Sequence, residues 1–343
     1  MNKLIIIAAG GTGGHLLPAQ AFAREISQKA KVHFIAGGLQ SNHTFDRQNF
    51  AFSEIPHAKL NLFFPFKITR ALLRSMQLIY RLRPTCVIGF GSYHSFPILL
   101  AAIICRIPVY LHEQNVVPGK VIKSLSRYAA WTAVNFQESQ RYLRGKTKWV
   151  KAPLKQAPVE ENPYAYFGLD PKKTTLLVTG GSQGAMFLDR IVPMAIPSTF
   201  QVIHCANQGT SVKDLQDQYR KKQVSSHVTH YEKKMHLAWK IADIAITRSG
   251  AGTIFEQIEA EVPGILIPYP FSSQNHQMVN AEFMQSTVKG AVTLPQEGLT
   301  AETLRNALDS LLTQRESKVE AIKDWKQKNI PISFSDAVME CLA

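Results

Sequence analysis

"LIIIAAGGTGGH" (4–15) and "LLVTGGSQGA" (176–185) decide the fold of this chain. Each is an aliphatic run cut short by G-G-[Ser/Thr]-x-G, so that Gly10, Gly11, Thr12 and Gly14 correspond to Gly180, Gly181, Ser182 and Gly184, 170 residues apart. An apolar run without polar alternation reads as a strand buried on both faces, and glycines directly after it allow a tight turn into a helix. Further runs of the same kind are "KVHFIAGG" (31–38), "CVIGFGS" (86–92), "PVYLHEQ" (108–114), "FQVIHCA" (200–206), "IAITRSGAG" (244–252) and "PGILIPYP" (263–270). They alternate with amphipathic stretches at 18–29, 120–128 and 252–262, which gives an α/β class with parallel sheets. The repeated turn predicts two similar domains, each opening on its first strand. The proline- and charge-rich "VKAPLKQAPVEENP" (150–163) reads as the linker, with domains over 1–155 and 156–325.

A chain of 343 residues is long enough for two such cores. Its net charge of +14 lies wholly in one half: residues 1–155 hold 21 Lys and Arg against 5 Asp and Glu, while residues 156–343 hold 18 against 20. That asymmetry calls for an anionic partner: nucleic acid, an anionic membrane surface or a phosphorylated substrate. No recognised nucleic-acid module accompanies the charge, so nucleic acid is not expected. Cys86, Cys105, Cys205 and Cys341 lack metal-ligand spacing and read as reduced thiols. "LIIIAA" (4–9) and "FPILLAAIIC" (96–105) are too short to span a bilayer.

A glycine turn opening a helix offers unpaired N–H groups and a partial positive charge, which is an anion site. Two specialisations fail. Leu16 stands where G-x-G-x-x-G needs its third glycine and no acid ends the second strand, and no G-K-[Ser/Thr] follows either turn. A third survives: "GGSQG" (180–184) satisfies G-x-S-x-G, with Asp243 and His276 following in the order of an α/β-hydrolase triad, Ser182 being the nucleophile.

Six co-linear motifs, "GGTGGH", "GFGSY" (89–93), "HEQN" (112–115), "GGSQGA", "RSGAGTIFE" (248–256) and "HQMVNA" (276–281), together resemble one family over nearly the whole chain. It comprises the bacterial glycosyltransferases that move N-acetylglucosamine from UDP-N-acetylglucosamine to undecaprenyl-pyrophosphoryl-muramyl-pentapeptide. The resemblance implies a GT-B fold, two Rossmann-like domains facing a cleft, with a final helix over 326–343 returning to the first domain. It also implies inverting transfer without metal or cofactor, peptidoglycan synthesis at the cytoplasmic face of the inner membrane, and roles in cell shape and division with other cell-wall proteins as partners. A UDP-N-acetylglucosamine epimerase of the same architecture is the alternative within the fold, and the hydrolase the alternative outside it.

Carried onto this sequence, the family's pattern gives each motif a task. UDP departs with two phosphates, so Ser182 with Gly181 and Gln183 is expected to stabilise growing negative charge, and Arg248 to add to it. Glu256 matches the carboxylate that accepts from both ribose hydroxyls, Gln277 and His276 the pair that reads the sugar, and Ala251 and Lys155 further donor contacts. Thr12, Gly13, Gly14 and Asn115 are sugar or acceptor contacts from the first domain, and Gly11, Gly91 and Ser92 line the acceptor side. An inverting attack needs one base to take the acceptor proton; His15 is either that base or a residue positioning the lipid pyrophosphate. Glu113 is expected to brace the loop that presents Asn115. The chain departs from the pattern at Lys155, where an arginine is usual, at Ser92, where glycine is usual, and at Glu232, which replaces an apolar residue beside the uracil.

An undecaprenyl acceptor also gives a reason for "LNLFFPFKITRALLRSMQLIYRLRP" (60–84), which has five basic residues and no acid. Arg70, Arg74 and Arg81 recur at helical spacing behind Phe63 and Phe64, a stripe suited to an anionic membrane surface. Leu72, Met76, Ile79 and Leu82 read as the core-facing side of the same helix.

Overall fold

The computed structural model describes residues 3–56, 64–155 and 161–342. It divides into two compact units, Met1–Lys155 with Pro331–Ala343, and Gln156–Ile330.

The first unit holds strands β1 (Leu4–Ala8), β2 (Lys31–Ala36), β3 (Phe52–Glu54), β4 (Cys86–Gly89), β5 (Val109–Glu113), β6 (Trp131–Val134) and β7 (Thr147–Trp149). They form one parallel sheet in the order β3-β2-β1-β4-β5-β6-β7. Side chains alternate across a strand, and in β1 both sets are buried. Ile5 and Ile7 pack with α1 (Gly13–Ile26), whereas Ile6 and Ala8 face α2 (Phe64–Leu82), α3 (Phe96–Ile104) and α4 (Lys120–Leu125). The helix expected from 18 starts at Gly13, because Gly13–Leu17 supply its first turn and Pro18, lacking an N–H, leaves only the carbonyl of exposed Gly14 without its helical donor.

The second unit repeats the scheme with β8 (Thr174–Thr179), β9 (Phe200–Cys205), β10 (Ser225–Thr229), β11 (Ile244–Thr247), β12 (Gly264–Leu266) and β13 (Ala291–Thr293), parallel in the order β10-β9-β8-β11-β12-β13. Its helices are α5 (Pro163–Phe167), α6 (Met186–Ala195), α7 (Val212–Lys221), α8 (Met235–Ile241), α9 (Ala251–Ala260), α10 (His276–Glu282), α11 (Ala301–Thr313) and α12 (Arg315–Lys328). In each sheet the order reverses beside the first strand, between β1 and β4 and between β8 and β11. That is where a doubly wound sheet opens a crevice at its carboxyl ends.

The return segment begins at Pro331, after α12 has run on to Lys328, and is therefore shorter than 326–343. Its helix α13 (Phe334–Leu342) belongs to the first core: the Phe334 ring lies 4.4 Å from Phe22 and 5.0 Å from His112 between centroids. Ion pairing of Lys29 with Asp336 at 2.7 Å and a hydrogen bond from Ser335 to Glu25 close its outer side.

Candidate active site

At the carboxyl end of the first sheet, three loops converge on His15. Its Nδ1 lies 2.8 Å from the carbonyl oxygen of Phe90, which can only accept, so Nδ1 carries the proton and the accepting lone pair is on Nε2. The Gln114 amide stands 2.7 Å from the same Nδ1, and its Oε1 is buried without a partner among the described residues. Turning the amide end for end sets that oxygen against the ring N–H, which then donates to it as well as to the Phe90 carbonyl. Gly91, at φ +89°, leaves room for the ring: a Cβ there would stand 3.2 Å from His15 Cε1.

The same end holds the other residues expected in the first unit. Thr12 precedes α1 as its N-cap, exposed and making no side-chain cap bond, and Gly13 and Gly14 form the first helical turn. The Gly11 carbonyl accepts from Asn42 at 2.6 Å. Ser92 occupies left-handed backbone at φ +77°, a strain of roughly 1 kcal/mol for a non-glycine residue, and its Oγ answers by accepting from His94 N at 3.2 Å. Buried Glu113 braces Asn115: Oε1 accepts from Asn115 N at 2.9 Å and Nδ2 at 3.2 Å, and Oε2 accepts from Gly119 N at 2.9 Å. Burial pushes the Glu113 carboxyl up to about 7, against the pull of those bonds.

In the second unit the turn Gly180–Gly184 follows β8, with Gly181 and Gln183 exposed and Ser182 half-buried. Asn207 Nδ2 donates to the Gln183 carbonyl at 2.8 Å, and Asn207 N donates to Asp189 Oδ2 at 3.0 Å. Buried Asp189 is held in turn by His204 at 3.1 Å, so a polar network underpins the turn from α6 and β9. Ala251 starts α9, and Glu256 lies on the same helix, half-buried, its carboxyl pushed up to about 7 by burial. Gln277 Oε1 accepts from Tyr269 N at 2.9 Å, and His276 Nδ1 donates to Ser273 O at 2.7 Å.

Five sequence expectations meet a different geometry or stand at or beyond the limit of the described residues. Arg248 is buried and turned inward, donating to the carbonyls of Ile267 at 2.9 Å and Pro268 at 3.0 Å and to Gln296 Oε1 at 2.6 Å. It braces the loop after β12. Glu232 is also buried, its Oε1 accepting from Tyr166 OH at 3.1 Å and Lys234 N at 2.6 Å, so internal partners replace the apolar packing usual there. The hydrolase triad does not assemble. Asp243 N donates to Thr175 O at the opening of β8, while Ser182 follows its end, a separation of about 15 Å along a strand rising 3.3 Å per residue. Asp243 is instead paired with Arg315 at 2.7 Å. Phe63 lies outside the described residues, and Lys155 is exposed at the last described position before 161.

Phe64 opens α2, on which Arg70, Arg74 and Arg81 share the exposed face with Leu73 and Tyr80, 62% and 79% exposed; Leu78 and Ile79 are buried. Leu72, Met76 and Leu82 pack partly buried against the core. Among the described residues no helix is long and apolar enough to cross a membrane, and no cluster of His, Cys, Asp or Glu could hold a metal ion.

Two parallel α/β units, each with a glycine turn at the carboxyl end of its first strand, are the architecture of the GT-B class of glycosyltransferases. Residues 5–134 match the glycosyltransferase family 28 N-terminal domain and residues 175–332 its C-terminal domain. The UDP-N-acetylglucosamine–N-acetylmuramyl-(pentapeptide) pyrophosphoryl-undecaprenol N-acetylglucosamine transferase of Protochlamydia amoebophila is 38% identical, covering 94% of this chain and 92% of its own. The enzyme of that name from Chlamydia pneumoniae is 33% identical over the full length of both. The crystal structure of Acinetobacter baumannii MurG superposes with a TM-score of 0.78 at 28% identity over 99% of each chain. The glycotransferase of kitacinnamycin, at TM-score 0.73 and 14% identity over all of both chains, shares the fold alone. This chain belongs to glycosyltransferase family 28 and, within it, to the family of these N-acetylglucosamine transferases.

Proposed function

We propose that this chain transfers N-acetylglucosamine from UDP-N-acetylglucosamine to undecaprenyl-pyrophosphoryl-muramyl-pentapeptide, with inversion at the anomeric carbon. The names of its relatives support the two substrates. The observation that carries the chemistry is the Phe90 carbonyl on His15 Nδ1, which leaves the accepting lone pair on Nε2. In the reaction Nε2 takes the proton of the acceptor hydroxyl, that oxygen bonds to the anomeric carbon, and the bond from the anomeric carbon to the β-phosphate oxygen breaks. UDP leaves with the electron pair.

In the second unit, the backbone of Gly181–Gln183 and the Ser182 hydroxyl hold the diphosphate, and Glu256 accepts from both ribose hydroxyls. His276 and Gln277 read the sugar, with Ala251 beside it at the start of α9 and Lys155 a further donor contact. Arg248 acts at one remove, by fixing the loop that carries Tyr269. With the Glu232 side chain turned inward, the uracil edge meets backbone groups. In the first unit, Thr12, Gly13, Gly14 and Asn115 serve sugar and acceptor, with Gly11, Gly91 and Ser92 shaping the acceptor side.

The exposed arginines of α2, with Leu73 and Tyr80 among them, support peripheral attachment to an anionic membrane, on the cytoplasmic face of the inner membrane where such an acceptor is made. Each basic residue near such a surface contributes roughly 1 kcal/mol. Reversing Arg70, Arg74 and Arg81 to glutamate is expected to weaken binding to phosphatidylglycerol vesicles by at least about tenfold; unchanged binding would remove the claim.

Radiolabelled UDP-N-acetylglucosamine, a lipid-linked muramyl-pentapeptide in detergent, and EDTA test the reaction as a whole. Label in the lipid with stoichiometric UDP is the expected result. UDP release in the absence of acceptor points to the epimerase, and no turnover of the donor overturns the proposal.

A further inference from the structure

The residue that prepares Glu256 for its ligand lies 17 positions earlier, in a different helix. Trp239 on α8 is 5% exposed, its ring set among Leu177, Ile203, Leu237 and Val262 in the core beneath the donor half. Its one polar atom, Nε1–H, donates to Glu256 Oε2 at 3.0 Å. Among the described residues this is the only hydrogen bond the Glu256 side chain makes.

Two vicinal hydroxyls present two donors, so the group that takes both must be acceptor-only and must hold its two oxygens in one plane facing them. A carboxylate with no partner turns freely about its last torsion, a broad and shallow one. A rigid indole wedged in a core fixes that plane at little entropic cost. Its N–H also favours the charged carboxylate over the acid, whose O–H would face a ribose hydroxyl as a second donor.

We propose that Trp239 is a positioning residue for the donor nucleotide, its indole N–H holding Glu256 in the orientation and ionised form that accept from both ribose hydroxyls. The inference rests on the reading of Glu256 given above. Burial raises the Glu256 carboxyl and the Trp239 bond opposes the rise. The thiol that interacts with it, Cys205, is itself pushed up to about 12 and stays neutral. On α12, which packs against α9, Lys326 is engaged by Glu261 at 2.9 Å and the Glu259 carbonyl at 3.0 Å.

The test compares wild type, Trp239→Phe and Glu256→Gln in the full chain, using UDP-N-acetylglucosamine and its 2′-deoxyribose analogue. Donor KM is followed from pH 5.5 to 8.5, with acceptor KM and kcat alongside. Wild type is expected to prefer the ribose donor by about tenfold, the worth of one hydrogen bond to a charged group. Trp239→Phe should lose most of that preference with kcat and acceptor KM unchanged. Its donor KM should improve with rising pH at a higher midpoint than wild type. Replacing Trp239 by 3-benzothienylalanine, which keeps the bicyclic shape without the N–H, should reproduce both changes, so that lost packing cannot stand in for the lost bond. If Glu256→Gln lowers the preference while both Trp239 variants keep it and keep the midpoint, the inference falls and the ribose reading stands. If Glu256→Gln keeps the preference, the ribose reading itself falls.

Discussion

The two glycine turns are alike in sequence and unlike in use. Around Gly10 and Gly11 the space is taken by the loop after β4: a Cβ on Gly10 would meet His94 Cβ at 2.7 Å, and one on Gly11 would meet Ser92 Oγ at 3.0 Å. The turn is packed from outside and hands on a side chain, His15. The second turn is packed on itself at Gly180, where a Cβ would fall 2.3 Å from the backbone nitrogen of Ala185, and against Asn207 at Gly184. Its outer residue Gly181 has nothing within 4 Å of that position. There the open surface is backbone. One motif therefore offers a proton acceptor in the first unit and a backbone surface in the second.

That contrast can be broken most severely at His15. His15→Ala is expected to lower kcat by about 10²- to 10⁴-fold while leaving donor KM unchanged, as removal of a general base does. Steady-state kinetics at saturating donor check it, and a rise in acceptor KM alone would make His15 a positioner. Next comes Gly180→Ala, whose methyl collides with backbone that has no rotamer to yield. A loss of about 3 kcal/mol, read as a lower midpoint of the second unit in urea, is expected.

Glu113 sharpens the first unit's side of the comparison. Burial raises this carboxyl from its ordinary 4.5 to about 7, so between those values the folded chain keeps a proton the unfolded chain has released. Stability should fall as pH rises through that window, by on the order of 1 kcal/mol per unit, with Glu256 adding to the same slope. Glu113→Gln should flatten its share, which urea titrations at pH 5 and pH 7 would show. The smallest effect on stability is expected of Gly181→Ala. At φ +75° and in open space it costs only the left-handed backbone, about 1 kcal/mol, whereas its methyl enters the space through which a diphosphate reaches the N–H groups. Donor KM should therefore rise about tenfold with little change in the unfolding midpoint; an unchanged donor KM would deny the turn its ligand.

Of the central strands, β1, β4, β5, β8, β9, β11 and β12 were legible as apolar runs because both their faces are buried, and β2 through its buried half Phe34–Ala36, whereas β6, short but buried, was not. The edge strands were not. β3, β7 and β10 carry polar, partly exposed residues such as "SSHVT" (225–229), and pairing with a neighbouring strand, rather than composition, makes them strands. At the site, His15, Glu113 and the two turns could be singled out because each function there sits within a few residues of a motif. Arg248 was placed among the anion-binding groups because a strand-end arginine carries charge; its three bonds to two carbonyls and Gln296 depend on a loop and on residue 296, far along the chain. Gln114 beside His15, Asn207 beneath the second turn and Trp239 against Glu256 lie outside any periodic or spaced pattern.

What the sequence determined by itself is the periodicity of burial and the places where only glycine fits, and these specify strands, turns, two domains and a family. The tertiary structure decided which polar atoms meet. Asp243 and Ser182 follow one another in the order of a triad, yet opposite ends of parallel strands hold them about 15 Å apart. Trp239 and Glu256 share no motif, yet the packing of α8 against α9 brings them to 3.0 Å. Apolar burial depends on composition averaged along an element, whereas a hydrogen bond forms or fails over a few tenths of an ångström, a tolerance that only the packing of distant elements sets.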